Sequence, residues 1–154
     1  MSNESVSVGI FMGSKSDLPI VEESAKILSN FDVSYDLNVL SAHRTPHEVV
    51  RKLEELENKG VKIFIAAAGM AAHLAGVVAA HTTLPVVGVP LSGGALNGQD
   101  ALYATVQMPK GVPVATVAID GSQNAALLVL QMLGITDTEI AEKLRLYKEE
   151  MANR

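Results

Sequence analysis

The chain lacks cysteine and tryptophan entirely, and aromatic residues make up only 4% of its 154 residues. Without cysteine there is no disulfide, thiolate nucleophile, iron–sulfur cluster or cysteine-ligated zinc, and a reducing, cytoplasmic environment fits this composition. With so few aromatic rings, the core must be built from alanine, valine, leucine and isoleucine. Hydrophobic residues make up 48% of the chain, enough to offset the entropy of ordering it, which excludes a disordered protein.

Positive charge is also scarce, since twelve Lys and Arg face seventeen Asp and Glu, for a net charge of −5. A general nucleic-acid binder is therefore excluded, whereas one local basic pocket for a small phosphate is not. The N-terminal residues lack the basic and long apolar segments of a signal peptide. The apolar stretch 71–91 contains two histidines and two prolines, which disfavour a membrane span. We expect a soluble protein with one domain, residues 1–154.

What the sequence does contain is a regular alternation of strand and helix patterns. The patterns predict strands at 5–12, 34–40, 61–67, 85–89 and 112–119, and helices at 18–31, 46–59, 71–82, 99–108 and 122–133, with a final charged helix to the C-terminus. Strands separated by helices predict a parallel sheet with helices on both faces. Five strands at this length favour the α/β flavodoxin-like order 2-1-3-4-5, with an extra C-terminal helix.

The helix ends carry their own signals. Ser16 or Asp17 can cap the first helix. Thr45–Glu48 matches a capping box, with proline at the first position of the helix that follows. Gly60 is expected to stop that second helix. A second capping box, Thr136–Glu139, opens the last helix.

Ligands bind such sheets at the carboxyl ends of the strands, where the strand order reverses between strands 1 and 3. The turn after strand 1 is Gly-Ser-Lys-Ser-Asp, residues 13–17. The hydroxyls of Ser14 and Ser16 and the start of a helix suit an anion, and Asp17 can accept hydrogen bonds from a ribose diol. An ordinary Gly-Ser turn remains the alternative. The turn is neither a Walker A loop nor a dinucleotide fingerprint, so the usual signatures of ATP and NAD are missing.

The turn after strand 2 is Ser-Ala-His-Arg-Thr-Pro, residues 41–46. Arg44 can bind a phosphate through two N–H groups, and the imidazole of His43 is suited to proton transfer near pH 7. The alternative is a solvated Arg44 beside a histidine that only packs in the loop. A zinc site at His43 and His47 is disfavoured, because Pro46 begins the helix between them.

The turn after strand 3 is a run of small residues around one histidine, residues 67–76. Gly69 and its neighbours let the backbone approach a ligand closely. Taken alone, His73 favours the role of a structural histidine over that of a catalyst. The helix that follows is apolar on nearly all sides, so we expect it to be buried, partly by another subunit.

These three turns, together with the segments 84–90, 106–109 and 124–126, resemble the PurE family of purine biosynthesis over residues 6–135. The resemblance implies a flavodoxin-like subunit in a homo-octamer, which acts on an aminoimidazole ribonucleotide without metal, ATP or organic cofactor. It implies that the substrate's carboxylate moves from N5 to C4 by loss and recapture of CO₂.

The family's site residues carry over onto matching positions. The resemblance implies that His43 shuttles the proton, that Ser14, Ser16 and Arg44 bind the phosphate, and that Asp17 binds the ribose diol. It places Ser41, Gly69 and His73 around the imidazole and the carboxylate.

The chain departs from the family in two ways. Ala67 and Met70 stand where many relatives have glycine, near the carboxylate pocket, and the C-terminus stops at Arg154, earlier than in several relatives.

Two other functions stay open. One is the family's direct carboxylase class, which usually has lysine in place of Arg44 and Arg-Ser-Asn in place of residues 70–72. The other is a non-enzymatic flavodoxin-like module that binds a phosphorylated ligand. Such a module would not need His43 beside Arg44.

Overall fold

The structure, a computed structural model, describes residues 5–154 and consists of one sheet covered by helices. The strands are β1 (Val8–Met12), β2 (Tyr35–Val39), β3 (Ile63–Gly69), β4 (Val86–Leu91) and β5 (Ala115–Thr116). The helices are α1 (Leu18–Asn30), α2 (Pro46–Asn58), α3 (Leu74–His81), α4 (Gln99–Val106), α5 (Ser122–Leu133) and α6 (Thr138–Ala152). Among the described residues, no helix has both the length and the apolar character that crossing a membrane requires.

The five strands are all parallel and lie in the order β2-β1-β3-β4-β5, which confirms the flavodoxin-like prediction. β1 lies between its two partners, with Val8 opposite both Tyr35 and Ile63. Because the strands run in one direction, the turns after β1, β2 and β3 meet where the carboxyl ends of the strands lie side by side, which we call the carboxyl edge of the sheet. This arrangement brings together residues that are about 60 positions apart in sequence.

Each face of the sheet has its own apolar core, because successive side chains of a strand point to opposite faces. On one face Val8, Ile10 and Met12 of β1 pack with residues of α1, α5 and α6. On the other face Phe11 packs with residues of α2 and α3. All of these β1 side chains are fully buried. The sheet is therefore a rigid base for the turns at its carboxyl edge.

Several boundaries differ from the sequence predictions. β5 has only two residues instead of eight, since only Ala115 and Thr116 pair with β4. β4 continues through Pro90 to Leu91 alongside β3. α3 begins at Leu74 and not at residue 71, because Met70 adopts a left-handed φ of 52° that interrupts the chain before the helix. The stop at Gly60 is confirmed, with a φ of 92°.

The predicted helix caps were wrong in detail. Asp17 stands at the N-cap of α1 without a side-chain cap bond; it is Ser14 that caps the single 3₁₀ turn leading into the helix. Thr45 makes no cap bond, because its hydroxyl bonds the backbone of Ser41. At α6 the capping side chain is Asp137, which accepts from two backbone N–H groups.

Candidate functional site

The turn after β1 is organised by the side chains of Ser14 and Asp17. The N–H of Ser14 donates to Asp17 Oδ2 at 3.0 Å, and the N–H of Ser16 donates to Ser14 Oγ at 3.3 Å. The hydroxyls of Ser14 and Ser16 lie 2.9 Å apart. Both hydroxyls therefore converge at the start of a helix, where the dipole favours an anion.

The pKa of the Asp17 carboxyl group is subject to opposing influences. Partial burial raises its pKa, while the Ser14 N–H and the positive charge of Arg44 act in the opposite direction. The influence of Arg44 shows that the first and second turns share one electrostatic environment. Oδ2 of Asp17 accepts from Ser14, and Oδ1 has capacity for a further donor such as a sugar hydroxyl.

The turn after β2 is closed by Thr45. Its hydroxyl accepts from the Ser41 N–H at 3.0 Å and donates to the Ser41 carbonyl at 3.1 Å. The Thr45 N–H donates to the same carbonyl at 2.9 Å. These three bonds form a compact loop, and the residues that the loop presents are His43 and Arg44.

Arg44 joins the second turn to the first. Nη2 of Arg44 donates to the carbonyl of Gly13 at 3.1 Å, and the backbone N–H of Arg44 donates to Ser41 Oγ at 3.1 Å. Nε lies 3.4 Å from the same hydroxyl. The guanidinium is thus fixed against the start of the first turn, and its remaining N–H groups can bind a phosphate.

The second and third turns meet through two histidines. Nε2 of His43 lies 2.7 Å from Nδ1 of His73, and the two rings are nearly perpendicular, at 84°. A hydrogen bond between imidazoles needs a donor on one nitrogen and an acceptor on the other, so one of these two nitrogens donates to the other. Both histidines are exposed at the edge of the sheet. His73 is therefore part of the site and not an isolated core residue.

The end of β3 connects this group to a fourth loop. Gly69 pairs with Leu91 of β4, and a Cβ at Gly69 would lie 3.4 Å from the Leu91 carbonyl oxygen. The next residue, Met70, is 60% exposed and its side chain lies against Gly94. Gly69 lies at the end of β3, at the same edge of the sheet as the other residues that the sequence indicated, which are joined by the contacts described above: Ser14, Ser16, Asp17, Ser41, His43, Arg44 and His73.

Sequence reasoning missed the link between Ser92 and Asp120. The Ser92 N–H donates to Asp120 Oδ1 at 2.8 Å, and the Ser92 hydroxyl donates to Oδ2. The Asp-Gly pair at 120–121 signals a turn, but no pattern in the sequence points from that turn to Ser92.

The candidate site is open in a single chain, since His43, Arg44 and His73 are exposed. A cavity of about 670 Å³ lies at the opposite edge of the sheet, and residues such as Phe31, Lys62 and Ile140 line it. Within residues 5–154, no group of three His, Asp or Glu side chains is placed to hold a metal ion.

We expect Thr45→Val to lower the specificity constant, because valine keeps the shape of threonine but loses both hydroxyl bonds to Ser41. Two lost hydrogen bonds correspond to about 1–3 kcal/mol, or roughly 5- to 150-fold. The test is kcat/KM of the variant, with Thr45→Ser as the matched control that retains the hydroxyl. Equal activity of valine and serine variants would contradict this role.

Comparison with known proteins places this geometry in a family. The model of the AIR carboxylase family matches residues 7–154. The N5-carboxyaminoimidazole ribonucleotide mutase of Pyrococcus horikoshii is 52% identical over 154 residues, which cover all of this chain and 87% of that protein. The phosphoribosylaminoimidazole carboxylase of Candida albicans is 51% identical over 148 residues, 96% of this chain but only 26% of that protein.

Solved structures agree with the sequence comparison. The crystal structure of Treponema denticola PurE superposes with a TM-score of 0.87 at 33% identity, and covers 95% of this chain and 91% of that chain. The shared fold and the full-length similarity lead to one conclusion: this chain belongs to the AIR carboxylase family.

Proposed function

We propose that this chain is an N5-carboxyaminoimidazole ribonucleotide mutase, an isomerase that moves a carboxylate from N5 to C4 of its substrate. The observation that carries the proposal is the hydrogen-bonded pair of His43 and His73 beside the anchored Arg44. The reaction needs a group that carries a proton and a group that binds the phosphate of the substrate, and both lie at the carboxyl edge of the sheet. The mutase of Pyrococcus horikoshii, identical at 52% of positions, supports the same assignment.

Substrate binding follows from the first two turns. The hydroxyls of Ser14 and Ser16 and the unused N–H groups of Arg44 bind the phosphate. Asp17 accepts the hydroxyls of the ribose through the oxygen that Ser14 does not occupy. The nucleotide then extends from the first turn toward the histidines.

The chemistry conserves every atom of the substrate. The N5–carboxylate bond breaks, its electron pair remains on N5, and CO₂ is released into the site. C4 then attacks the carbon of CO₂ and forms the new C–C bond. His43 removes the proton from C4, and one proton is returned to N5, so that the net change is an isomerisation. Ser41, Gly69 and His73 line the position of the imidazole and the carboxylate.

The proposal includes assembly into a homo-octamer and a cytoplasmic location. Free CO₂ must be kept from water while it moves between two atoms, and the open edge of one chain does not enclose it. Neighbouring copies that cover this edge would complete the site. The exposed apolar side chains of Met70, Leu96, Tyr103 and Val106 are suited to such contacts.

The direct carboxylase is the second candidate function, because the Candida albicans relative has that name. The discriminating experiment is incubation with N5-carboxyaminoimidazole ribonucleotide in the absence of ATP and bicarbonate. We expect carboxyaminoimidazole ribonucleotide to form. Product that appears only from aminoimidazole ribonucleotide and added CO₂ would favour the carboxylase and contradict our proposal.

We expect Arg44→Lys to raise KM while kcat changes little. Lysine keeps the positive charge but loses the fork that bonds the Gly13 carbonyl and the phosphate together. The loss of a charged hydrogen bond corresponds to about 1.5–3 kcal/mol, or roughly 10- to 150-fold in KM. Steady-state kinetics measures both constants. A collapse of kcat at constant KM would place Arg44 in the chemical step instead.

A further inference from the structure

Asp120 combines an unusual backbone with a two-point hydrogen bond. Its φ is 59°, in the left-handed region that side chains rarely adopt. Its N–H donates to the Pro90 carbonyl at 2.8 Å. Its carboxylate accepts both the N–H and the hydroxyl of Ser92, each on a separate oxygen. Backbone strain of this kind persists only where the surroundings hold it.

These bonds fix the start of the loop that follows β4. Ser92 is the first residue after Leu91, the last residue of β4. Two residues further on, Gly94 has a φ of 64°, and a Cβ there would lie 3.3 Å from Cγ and Sδ of Met70. Asp120 is therefore bonded to the start of a loop that contacts Met70.

Met70 belongs to the turn that carries His73. It follows Gly69 at the end of β3, and its carbonyl accepts the Ala72 N–H at 2.8 Å. The loop 92–98 thus lies against the turn that carries His73. Asp120 bonds the start of this loop and makes no hydrogen bond to His43, Arg44 or His73.

We propose that Asp120 is a positioning residue, which holds the loop 92–98 against Met70 as the wall that retains CO₂ during the reaction. The inference depends on the proposed mutase activity. When the N5–carboxylate bond has broken, CO₂ either bonds to C4 or escapes. Escape leaves N5 with a proton taken from the site or from water, and the product is aminoimidazole ribonucleotide. The ratio of this product to the carboxylated one reports how well the wall retains CO₂.

The experiment compares Asp120→Gly with the unaltered protein on N5-carboxyaminoimidazole ribonucleotide, after subtraction of breakdown without enzyme. Glycine adopts a φ of 59° readily, so the variant loses the hydrogen bonds to Ser92 without adding backbone strain. We expect the share of decarboxylated product to rise by on the order of tenfold, the factor of one lost hydrogen bond to a charged group. Asp120→Asn, which can still bond Ser92, should restore most of the original ratio.

Asp32→Gly is the matched control. Asp32 has a φ of 57° and bonds Lys143, and it lines the cavity at the opposite edge of the sheet. We expect its product ratio to equal that of the unaltered protein. An unchanged ratio in a folded Asp120→Gly variant, or an equal rise in both glycine variants, would overturn the inference.

Two further results distinguish failure of the inference from misfolding of the variant and from failure of the proposed function. If Asp120→Gly fails to fold, Ser92→Ala decides: it removes only the hydroxyl bond, and a ratio equal to that of the unaltered protein overturns the inference. If the unaltered protein does not convert the substrate at all, the proposed function fails, which is a different result from an unchanged ratio.

Discussion

His43→Asn is expected to lower kcat by at least about 10²-fold, the low end of the contribution of acid–base catalysis. Asparagine can still form a hydrogen bond toward His73, but it cannot carry a proton between C4 and N5. The proposed phosphate and ribose contacts of Ser14, Asp17 and Arg44 do not involve His43, so nucleotide affinity should be retained. Steady-state turnover and calorimetric binding of the product measure the two effects separately.

His81→Asn provides the matched control for this substitution. His81 is also exposed, and its ring Nδ1 lies at hydrogen-bond distance from the Val77 carbonyl within α3. We expect its turnover to match that of the unaltered protein. Normal turnover in the His43 variant would remove that residue from the catalytic role, and loss of nucleotide binding there would show that it acts in binding instead.

Val106→Glu is expected to dissociate the assembly and abolish activity even though every site side chain is intact. Val106 lies on α4, three residues after Tyr103, so both side chains project from the same side of the helix. They are 45% and 63% exposed in the single chain. A glutamate in an interface between subunits would bury an unpaired charge, which costs several kcal/mol. Light scattering should show a shift from about eight times the 16.3 kDa chain mass toward one.

Leu146→Glu tests whether any exposed apolar residue would give the same result. Leu146 is also 45% exposed, but it lies on α6, away from the turns of the site. We expect this variant to remain assembled and active. An active monomer at assay concentration, in either variant or in the unaltered protein, would contradict both the proposed assembly and the shared site.

The core of the fold followed from local patterns. The buried runs in β1, β3 and β4 and the glycine stop after α2 were evident as periodicity and turn chemistry, and these features depend on residues close together in sequence. Less of β5 could be predicted. Eight apolar-rich residues satisfied the strand pattern, but only two of them pair with β4, and pairing depends on a neighbouring strand.

The apolar character of α3 led to the expectation that another subunit covers part of this helix. In the structure β4 is fully buried by this chain's own elements, whereas Ala80 and His81 of α3 remain exposed. The sequence shows that a segment must be covered, and the tertiary structure decides what covers it.

The sequence by itself indicated the groups of the candidate site in the three turns, through their residue types and their resemblance to a family, but it did not indicate Ser92 or Asp120. Only the tertiary structure decided how those groups meet. The 2.7 Å approach of His43 to His73, the anchoring of Arg44 on Gly13 and the hold of Asp120 on Ser92 each join residues about 30 positions apart. Thr45 shows the same limit at short range, since its sequence pattern predicted a helix cap and the folded turn used its hydroxyl to bind Ser41. The local sequence limits which hydrogen bonds a side chain can form. The packing of distant strands decides which of these bonds form, because the distances between the strands are set only in the folded chain.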